Sequence, residues 1–377
     1  MPLSRRKFII RGLLAFPIVN NVLGITQVFA KTGAKQEIIL GGGQYIDPKT
    51  HKIQHVFSVY NLTNNEKSII NMDFLPHGIC LQPNNPLIIS IFEKKGPHAC
   101  EFDLSTLTVS RVIKTDPNRH FYGHGTYSKD GKLLYCTETY LDTRDGIIAV
   151  RDAKTLNYLA EFPTYGKEPH ECLLTDKGKT LIITNGGGDL EGLAPSITYV
   201  DIKTARLIEQ VTLTNARINT GHLALGQNNN LIVVSAPRAG LETTDLGGVS
   251  IRNKTNALLD SISKPSAIAS RMKGEALSVV VYEPTQIAAV THPSGNMVTF
   301  WSLNDHKLLK SMDLQSPRGV TLTTEKNAFV ISYSKNAKML EVDVNTLQII
   351  DGSQRNTTYI TGSHLYNWSA EVKKLHV

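Results

Sequence analysis

Histidine recurs in this sequence at one fixed position of a repeated hexamer. The hexamers read PHGICL (76–81), GHGTYS (123–128), PHECLL (169–174), GHLALG (221–226), GEALSV (274–279), PRGVTL (317–322) and SHLYNW (363–368). Their second residues are His77, His124, His170, His222, Glu275, Arg318 and His364. Five of these seven positions are histidine, although the chain holds only 12 histidines. Neutral imidazoles that converge on one point are ligands for copper, iron, nickel or zinc.

Three interpretations of the recurrent histidines stay open at the level of sequence. They bind a transition metal together, they cap strand starts by hydrogen bonding to the backbone, or they line a polar channel without a ligand. In the first case Glu275 adds a ligand or an acid/base group, and Arg318 holds an anionic substrate or pairs with Glu275. Protonation at about pH 6 is then expected to weaken metal binding.

Short β-strands must position these residues. The runs LIISIF, KLLYCTETY, TLIITN, LIVVSA and AFVISYS are β-branched or aromatic and are bounded by turn residues. Third strands often end in aspartate, as in EFDLST, VRDAKT, YVDIKT and EVDVNT. The hexamers repeat at intervals of 43 to 53 residues, which is typical of four-stranded propeller blades. Glycines beside the histidines, such as Gly78, Gly123, Gly125 and Gly221, suit close approach of backbones.

Seven hexamers predict an all-β, seven-bladed β-propeller. Three strands precede the first hexamer, and almost no chain follows the last. The C-terminal strand is therefore expected to join the N-terminal blade, which removes exposed sheet edges. Residues 31–377 would form a single domain, because each core lies between neighbouring blades. The one segment with a helical pattern is 253–273, which looks like an insertion.

Residues 1–30 predict a twin-arginine signal peptide. Arg5 and Arg6 precede a moderately apolar stretch, and Val28-Phe29-Ala30 fits a cleavage site. Retention of this segment as an anchor is the alternative. The segment carries four of the basic residues and no acid, so its removal lowers the net charge from +7 to +3. The mature chain has no long basic run, which gives nucleic-acid binding little support. We expect a periplasmic protein without a stable membrane span and, in solution, a monomer.

Several familiar chemistries lack their motifs in this sequence. No CxxCH is present, which excludes covalent haem c, and no Gly-x-Ser-x-Gly elbow occurs. The glycine runs at 41–43 and 186–188 lack the Lys-Ser/Thr of a phosphate loop, so they are interpreted as turns. The cysteines are expected to be mostly free, buried thiols: Cys80, Cys100, Cys136 and Cys172. Tyr122, Tyr127, Glu138 and Tyr140 line a channel mouth or pack between blades.

The stretch from 119 to 225 resembles a known family. The motifs RHFYGHGTYSKDGKLLYCTETY, DGIIAVRDA, GKEPHECLL, LIITNGGG, APSITYVD and INTGHLALG are similar to those of the DUF1513 family of twin-arginine-exported propellers, a domain of unknown function. Genes of that family often lie near genes for imelysin-like proteins and di-haem oxidoreductases. The resemblance implies a periplasmic partner from such an iron-linked cluster. The chain departs from the family at Gly188, usually isoleucine, and at Gly221, usually arginine, so no site that uses that arginine is implied.

Two classes of function follow from these observations. In the first, the protein is a periplasmic metal-handling or redox-accessory propeller that holds iron or copper through His77, His124, His170, His222 and His364. In the second, it is a non-enzymatic scaffold that docks a protein partner. An enzyme acting on a small organic substrate has no direct support in the sequence.

Overall fold

The computed structural model describes residues 36–227, 230–252 and 258–375. The predicted signal peptide at 1–30 lies outside the described residues. The described chain folds almost entirely into short strands. The strands of the first half are Ile38–Ile46 (β1), Ile53–Asn61 (β2), Lys67–Met72 (β3), Pro76–Leu81 (β4), Ile88–Glu93 (β5), His98–Asp103 (β6), Thr108–Lys114 (β7), Arg119–Tyr127 (β8), Leu133–Tyr140 (β9), Asp145–Asp152 (β10), Tyr158–Lys167 (β11), Pro169–Thr175 (β12) and Thr180–Asn185 (β13).

The second half continues in the same way. Its strands are Ser196–Asp201 (β14), Arg206–Leu213 (β15), Leu223–Leu225 (β16), Leu231–Ser235 (β17), Gly248–Arg252 (β18), Leu258–Ser261 (β19), Val279–Tyr282 (β20), Ile287–His292 (β21), Met297–Ser302 (β22), Leu308–Asp313 (β23), Pro317–Leu322 (β24), Ala328–Tyr333 (β25), Lys338–Asp343 (β26) and Tyr366–Asn367 (β27). A 3₁₀ turn covers Asp176–Gly178, and short helices cover Ser266–Ala269 and Trp368–Leu375.

The described strands form six sheets, most of them four-stranded and antiparallel. Strands β4–β7, β8–β11 and β20–β23 each make a four-stranded sheet, and β24–β26 make a three-stranded one. An eight-stranded sheet has the order β12-β13-β14-β15-β19-β18-β17-β16. Its two antiparallel halves meet where β15 pairs in parallel with β19 at Thr212–Leu258 and Leu213–Leu259. The predicted all-β class of repeated four-stranded sheets is therefore confirmed.

The C-terminal strand joins the N-terminal sheet, as predicted. Strand β27 pairs antiparallel with β1, so that Asn367 lies opposite Ile39. The Nδ2 group of Asn367 also donates a 2.7 Å hydrogen bond to the carbonyl oxygen of Leu322. Asn367 Oδ1 accepts a 2.9 Å hydrogen bond from the Ala370 N–H, which caps the start of the C-terminal helix. The sequence did not predict that helix.

The core lies between neighbouring sheets, because the middle strands are covered on both faces. Strand β13, TLIITN, is buried at all six positions. Aromatic pairs bridge successive sheets: the ring centroids of Phe92 and Phe121 lie 5.7 Å apart, and those of Phe300 and Phe329 lie 5.5 Å apart. All four of these side chains are fully buried. Each stabilises the packing by about 2–3 kcal/mol relative to an exposed ring.

The aspartates at the ends of third strands close the predicted turns. Asp103, Asp152, Asp201 and Asp343 each accept a hydrogen bond through Oδ1 from a backbone N–H two or three residues later, at 2.7–2.8 Å. This is the Asx-turn geometry for which aspartate is favoured. The motif identified in the sequence thus marks the same turn in four sheets.

The prediction of a helix over 253–273 is wrong. Of its described part, Leu258–Ser261 forms strand β19, and only Ser266–Ala269 is helical. Pro265 prevents a helix from running through the segment, because proline lacks the N–H that a helix interior requires. Leu259 is instead buried in the core between β13 and β17.

The four cysteines are free and buried. Burial raises the pKa of Cys100 and of Cys136 to about 12, so these thiols are protonated and weakly nucleophilic at neutral pH. Within the described ranges, no helix has the length and apolar character needed to span a bilayer.

Candidate metal centre

The histidine cluster consists of His77, His124, His170, His222 and His364, which come from the inner ends of different sheets. His77, His124 and His170 lie on β4, β8 and β12, while His222 and His364 precede β16 and β27. These strands belong to four sheets, since β12 and β16 are the two ends of the eight-stranded sheet. Their ring centroids lie 4.1 to 5.7 Å apart in the nine contacting pairs. The fold therefore gathers into one volume side chains that are far apart in sequence.

Four of the five rings offer nitrogens with metal-site spacing. One ring nitrogen each from His77, His124, His170 and His222 lies within 4.8 Å of the others. The Nε2 atoms of His77 and His170 are 3.5 Å apart. His364 is outside this four-nitrogen group, but its ring centroid is 4.1 Å from that of His222. A fifth imidazole thus packs directly against the group.

Glycines allow the histidine-bearing strands to approach each other. A β-carbon on Gly78 would lie 2.2 Å from the carbonyl oxygen of Gly123 and 2.8 Å from Nδ1 of His124. Gly123 has a φ of +123°, and a β-carbon there would lie 2.5 Å from Cδ2 of His77. Any larger residue would push these backbones apart. The glycines beside the histidines are therefore part of what forms the cluster.

The environment keeps the cluster histidines neutral. Four are buried, and His364 is partly buried. Burial lowers the pKa of all five well below the usual range, and the positive charge of Lys94 lowers it further. Neutral imidazole is the form that coordinates a metal. The expectation of protonation at about pH 6 is therefore corrected to a more acidic pH, since desolvation penalises the charged ring.

Several ring nitrogens are buried without a hydrogen bond. Among the described residues, Nε2 of His124, of His222 and of His364 finds no partner. Within the described ranges, the ring nitrogens of the cluster make one hydrogen-bond contact with each other, His77 to His170, and none with the backbone. Buried polar atoms without partners are costly. A bound cation would satisfy these lone pairs, so the residues present fit a metal ion.

Glu171 supports the cluster from one side. Its Oε2 lies 3.4 Å from Nδ1 of His222 and accepts a 2.9 Å hydrogen bond from the Leu223 N–H. Its negative charge raises the pKa of His124 and so offsets part of the lowering that burial causes. Burial raises the pKa of Glu171 itself. The contact with His222 is not a hydrogen bond, since Nδ1 of His222 has no hydrogen-bond partner among the described residues. The carboxylate acts through its charge, which favours a cation in the cluster.

Glu275 and Arg318, the second residues of two of the hexamers, lie beside the cluster but are not part of the four-nitrogen group. Glu275 forms an ion pair with Lys94 at 3.5 Å. Arg318 donates from Nε to the carbonyl oxygen of Thr361 at 3.1 Å. Within the described residues Arg318 has no ion pair with Glu275, whose carboxylate is paired with Lys94.

Sequence reasoning missed Glu171 and Lys94. The available signal for Glu171 was its place in PHECLL, since PHGICL and GHGTYS have glycine at that position. Lys94 had no such signal. It belongs to the segment EKKG after β5, which resembles an ordinary surface turn.

The side chains expected to line a channel mouth or to pack between blades have different surroundings. The ring of Tyr122 packs 5.1 Å from that of His170, and its hydroxyl donates to Glu168 Oε2 at 3.3 Å. Glu138 is fully buried and receives a 2.9 Å hydrogen bond from Arg151. Tyr127 hydrogen bonds to Ser90 at 2.7 Å. Only Tyr122 of these contacts the histidines.

The glycine run 186–188 is a loop, as interpreted from the sequence, but the same interpretation is wrong for residues 41–43, which lie within strand β1. The buried guanidinium of Arg238 donates to carbonyl oxygens in this region, including those of Gly187, Gly188 and Leu193 at 3.0 to 3.3 Å. The guanidinium of Arg238 thus holds the loop through its carbonyl oxygens. The N–H groups of Gly186 and Gly187 donate to the carbonyl oxygens of Glu168 and Lys167, so they are already used within the protein.

Solved structures share the fold at low sequence identity. Hydrazine synthase from Kuenenia stuttgartiensis aligns with a TM-score of 0.62 and 11% identity, covering 84% of this chain and 99% of that one. Dihydro-heme d1 dehydrogenase NirN, in complex with DHE, aligns with a TM-score of 0.57 and 9% identity, covering 88% of this chain and 69% of that one. A search of curated proteins finds no match.

The family model described as "Protein of unknown function (DUF1513)" matches residues 75–358, which include four of the five cluster histidines and both Glu275 and Arg318. The resemblance noted in the sequence is therefore confirmed. The chain belongs to the DUF1513 family.

Proposed function

We propose that the histidine cluster binds a transition-metal ion, and that the protein is a periplasmic metal-handling or redox-accessory propeller. The observation that carries this proposal is the buried group of four ring nitrogens, all within 4.8 Å of one another. Nitrogen ligands bound at about 2.0–2.1 Å lie roughly 2.9–3.4 Å from their neighbours, from tetragonal to tetrahedral coordination. His77 and His170, at 3.5 Å, already have that spacing. Shifts of less than about 1 Å per ring bring in the others.

The donor set distinguishes between iron and copper. Imidazole suits several transition metals, and copper(II) is the divalent ion that such sites bind most tightly. The four grouped donor atoms are all imidazole nitrogens. Copper is accordingly the first candidate and iron the second. The bound ion supplies Lewis acidity or an electron-transfer centre, while the chain holds it and excludes water.

The complete architecture that we propose has seven blades in a single domain of residues 31–377. The eight-stranded sheet counts as two blades, because each of its halves is a four-stranded antiparallel unit. The three-stranded sheet gains an outer edge through the bridges Met339–Arg355 and Val342–Ile349. Seven units then match the seven hexamers of the sequence. The periplasmic location rests on the twin-arginine pattern at Arg5 and Arg6.

Elemental analysis of protein purified from the periplasm tests the function. We expect close to one equivalent of copper or iron per chain, retained after gel filtration. A variant with His77, His124 and His170 changed to alanine should contain none, while its circular dichroism stays that of a folded β-protein. Metal-free wild-type protein that co-purifies with another periplasmic protein would instead favour the non-enzymatic scaffold.

A further inference from the structure

Two cationic side chains and one carboxylate lie beside the histidine cluster. Lys94 is close enough to lower the pKa of all five histidines, and its Nζ atom is 3.5 Å from Glu275. Arg318 is half-buried. Its strand lies against the cluster, because a β-carbon on the next residue, Gly319, would be 2.7 Å from the carbonyl carbon of His364. Glu275 pairs with Lys94, and a second carboxylate, Glu171, lies on the His222 side of the cluster. The charge of Arg318 is therefore the one beside the cluster that has no ion-pair partner among the described residues.

The charge of Arg318 has no ion-pair partner in the described part of the chain. Its Nε donates to the carbonyl oxygen of Thr361, and no carboxylate of the described chain lies within ion-pair distance of its guanidinium. Burial lowers the pKa of Arg318, and Glu275 offsets only part of that effect. A guanidinium removed from water without a counterion is unfavourable. A small anion would restore the balance and accept hydrogen bonds from it.

We propose that the metal in the histidine cluster carries a small monovalent anion as an additional ligand, held by Arg318 and Lys94. This inference rests on the proposed function. Neutral imidazoles do not compensate the charge of a divalent ion, so an anion is the favoured occupant of an open coordination position. Glu275 limits the attraction, because its carboxylate repels the same anion and competes for Lys94.

Azide is a suitable probe, since it is small and monovalent and gives a charge-transfer absorption band when it binds copper(II). Copper-loaded protein of the full mature chain is titrated with azide, and the metal content of each sample is measured in parallel. Wild-type protein should bind azide saturably. Arg318→Gln should weaken azide binding by about tenfold or more at unchanged copper content, and Arg318→Lys should recover part of the loss. Glu275→Gln should tighten binding by a few fold.

Arg271→Gln is the matched control, because Arg271 pairs with Asp313 in an exposed position. It should leave both copper content and azide affinity at the wild-type values. Full copper occupancy with equal azide affinity in wild type and Arg318→Gln would overturn this inference and leave the proposed function standing. Failure of wild-type protein to hold any metal would overturn the proposed function, and the inference with it.

Discussion

The Nε2 atoms of His77 and His170 lie 3.5 Å apart, although 93 residues separate the two histidines in the chain. Strands β4 and β12 belong to different sheets, so this distance is set by the packing of whole sheets around a common centre. Two imidazoles with facing nitrogens gain little from each other at that distance. A shared cation between them gives the arrangement a physical reason.

Replacing His124 with alanine should lower the metal content without unfolding the protein. The ring of His124 contributes one of the four grouped nitrogens, and its Nε2 has no hydrogen-bond partner among the described residues. We expect metal occupancy to fall by at least about tenfold, with the melting temperature of the metal-free protein little changed. His55→Ala, on β2, is the control. Equal metal content in the two variants would contradict the metal site.

Changing Glu171 to glutamine should weaken metal binding while keeping the shape of the side chain. Glutamine can still accept from the Leu223 N–H, but it removes the negative charge 3.4 Å from Nδ1 of His222. We expect a loss of about 10–100-fold in affinity, measured by competition with a chelator. Glu209→Gln changes a carboxylate on the outer strand β15 and should have no effect. An unchanged affinity in Glu171→Gln would limit this residue to a structural role.

Alanine at Gly78 should destabilise the fold and disturb the cluster together. The added β-carbon would lie 2.2 Å from the backbone oxygen of Gly123, which cannot move without displacing β8. We expect the free energy of unfolding to fall by about 1–3 kcal/mol and the metal content to fall with it. Gly248→Ala is the control, since its nearest neighbour, Cδ1 of Ile218, is 3.6 Å away. Chemical denaturation should give a lower free energy of unfolding for Gly78→Ala than for Gly248→Ala.

Acid should destabilise the metal-free protein through its buried histidines. Burial, assisted by the charge of Arg271, lowers the pKa of His292 to about 3, against about 6.5 in the unfolded chain. The unfolded state therefore binds the proton first, and stability is lost as the pH falls below about 6.5. Between about pH 7 and pH 5 this residue alone should cost about 2 kcal/mol.

The variant His292→Gln isolates that contribution. The free energy of unfolding of this variant is measured at several pH values in the presence of a chelator. Between about pH 7 and pH 5 it should fall by about 2 kcal/mol less than that of the wild type. His51→Gln, at an exposed position, is the matched control. A variant slope equal to that of the wild type would show that His292 does not remain neutral in the folded state.

Export should depend on the paired arginines. Changing Arg5 and Arg6 to lysine should leave full-length precursor in the cytoplasm, because the twin-arginine pathway requires that pair. Cell fractionation followed by mass spectrometry of the N-terminus measures both location and cleavage after Ala30. Normal appearance of the variant in the periplasm would refute the predicted route.

The sequence by itself determined what every repeat unit has in common. The hexamers located the inner strands and their histidines, the aspartates located the turns, and the three unpaired N-terminal strands indicated the pairing of β27 with β1. The hexamers and the aspartates are local to one unit and recur, so period and residue type are sufficient to identify them. The pairing of β27 with β1 is neither, and it was predicted from the strands left over at the two ends of the repeat. The helix predicted at 253–273 failed because Pro265 and the burial of Leu259 outweigh a weak helical pattern.

Only the tertiary structure decided how the units meet. The approach of the four nitrogens to within 4.8 Å depends on how closely the sheets pack, and therefore on the contact between Gly78 and Gly123. The same packing brings Glu171 to His222 and Lys94 to Glu275. No repeat in the sequence records these contacts, because each joins side chains of different units whose distance is set by the closure of the whole fold.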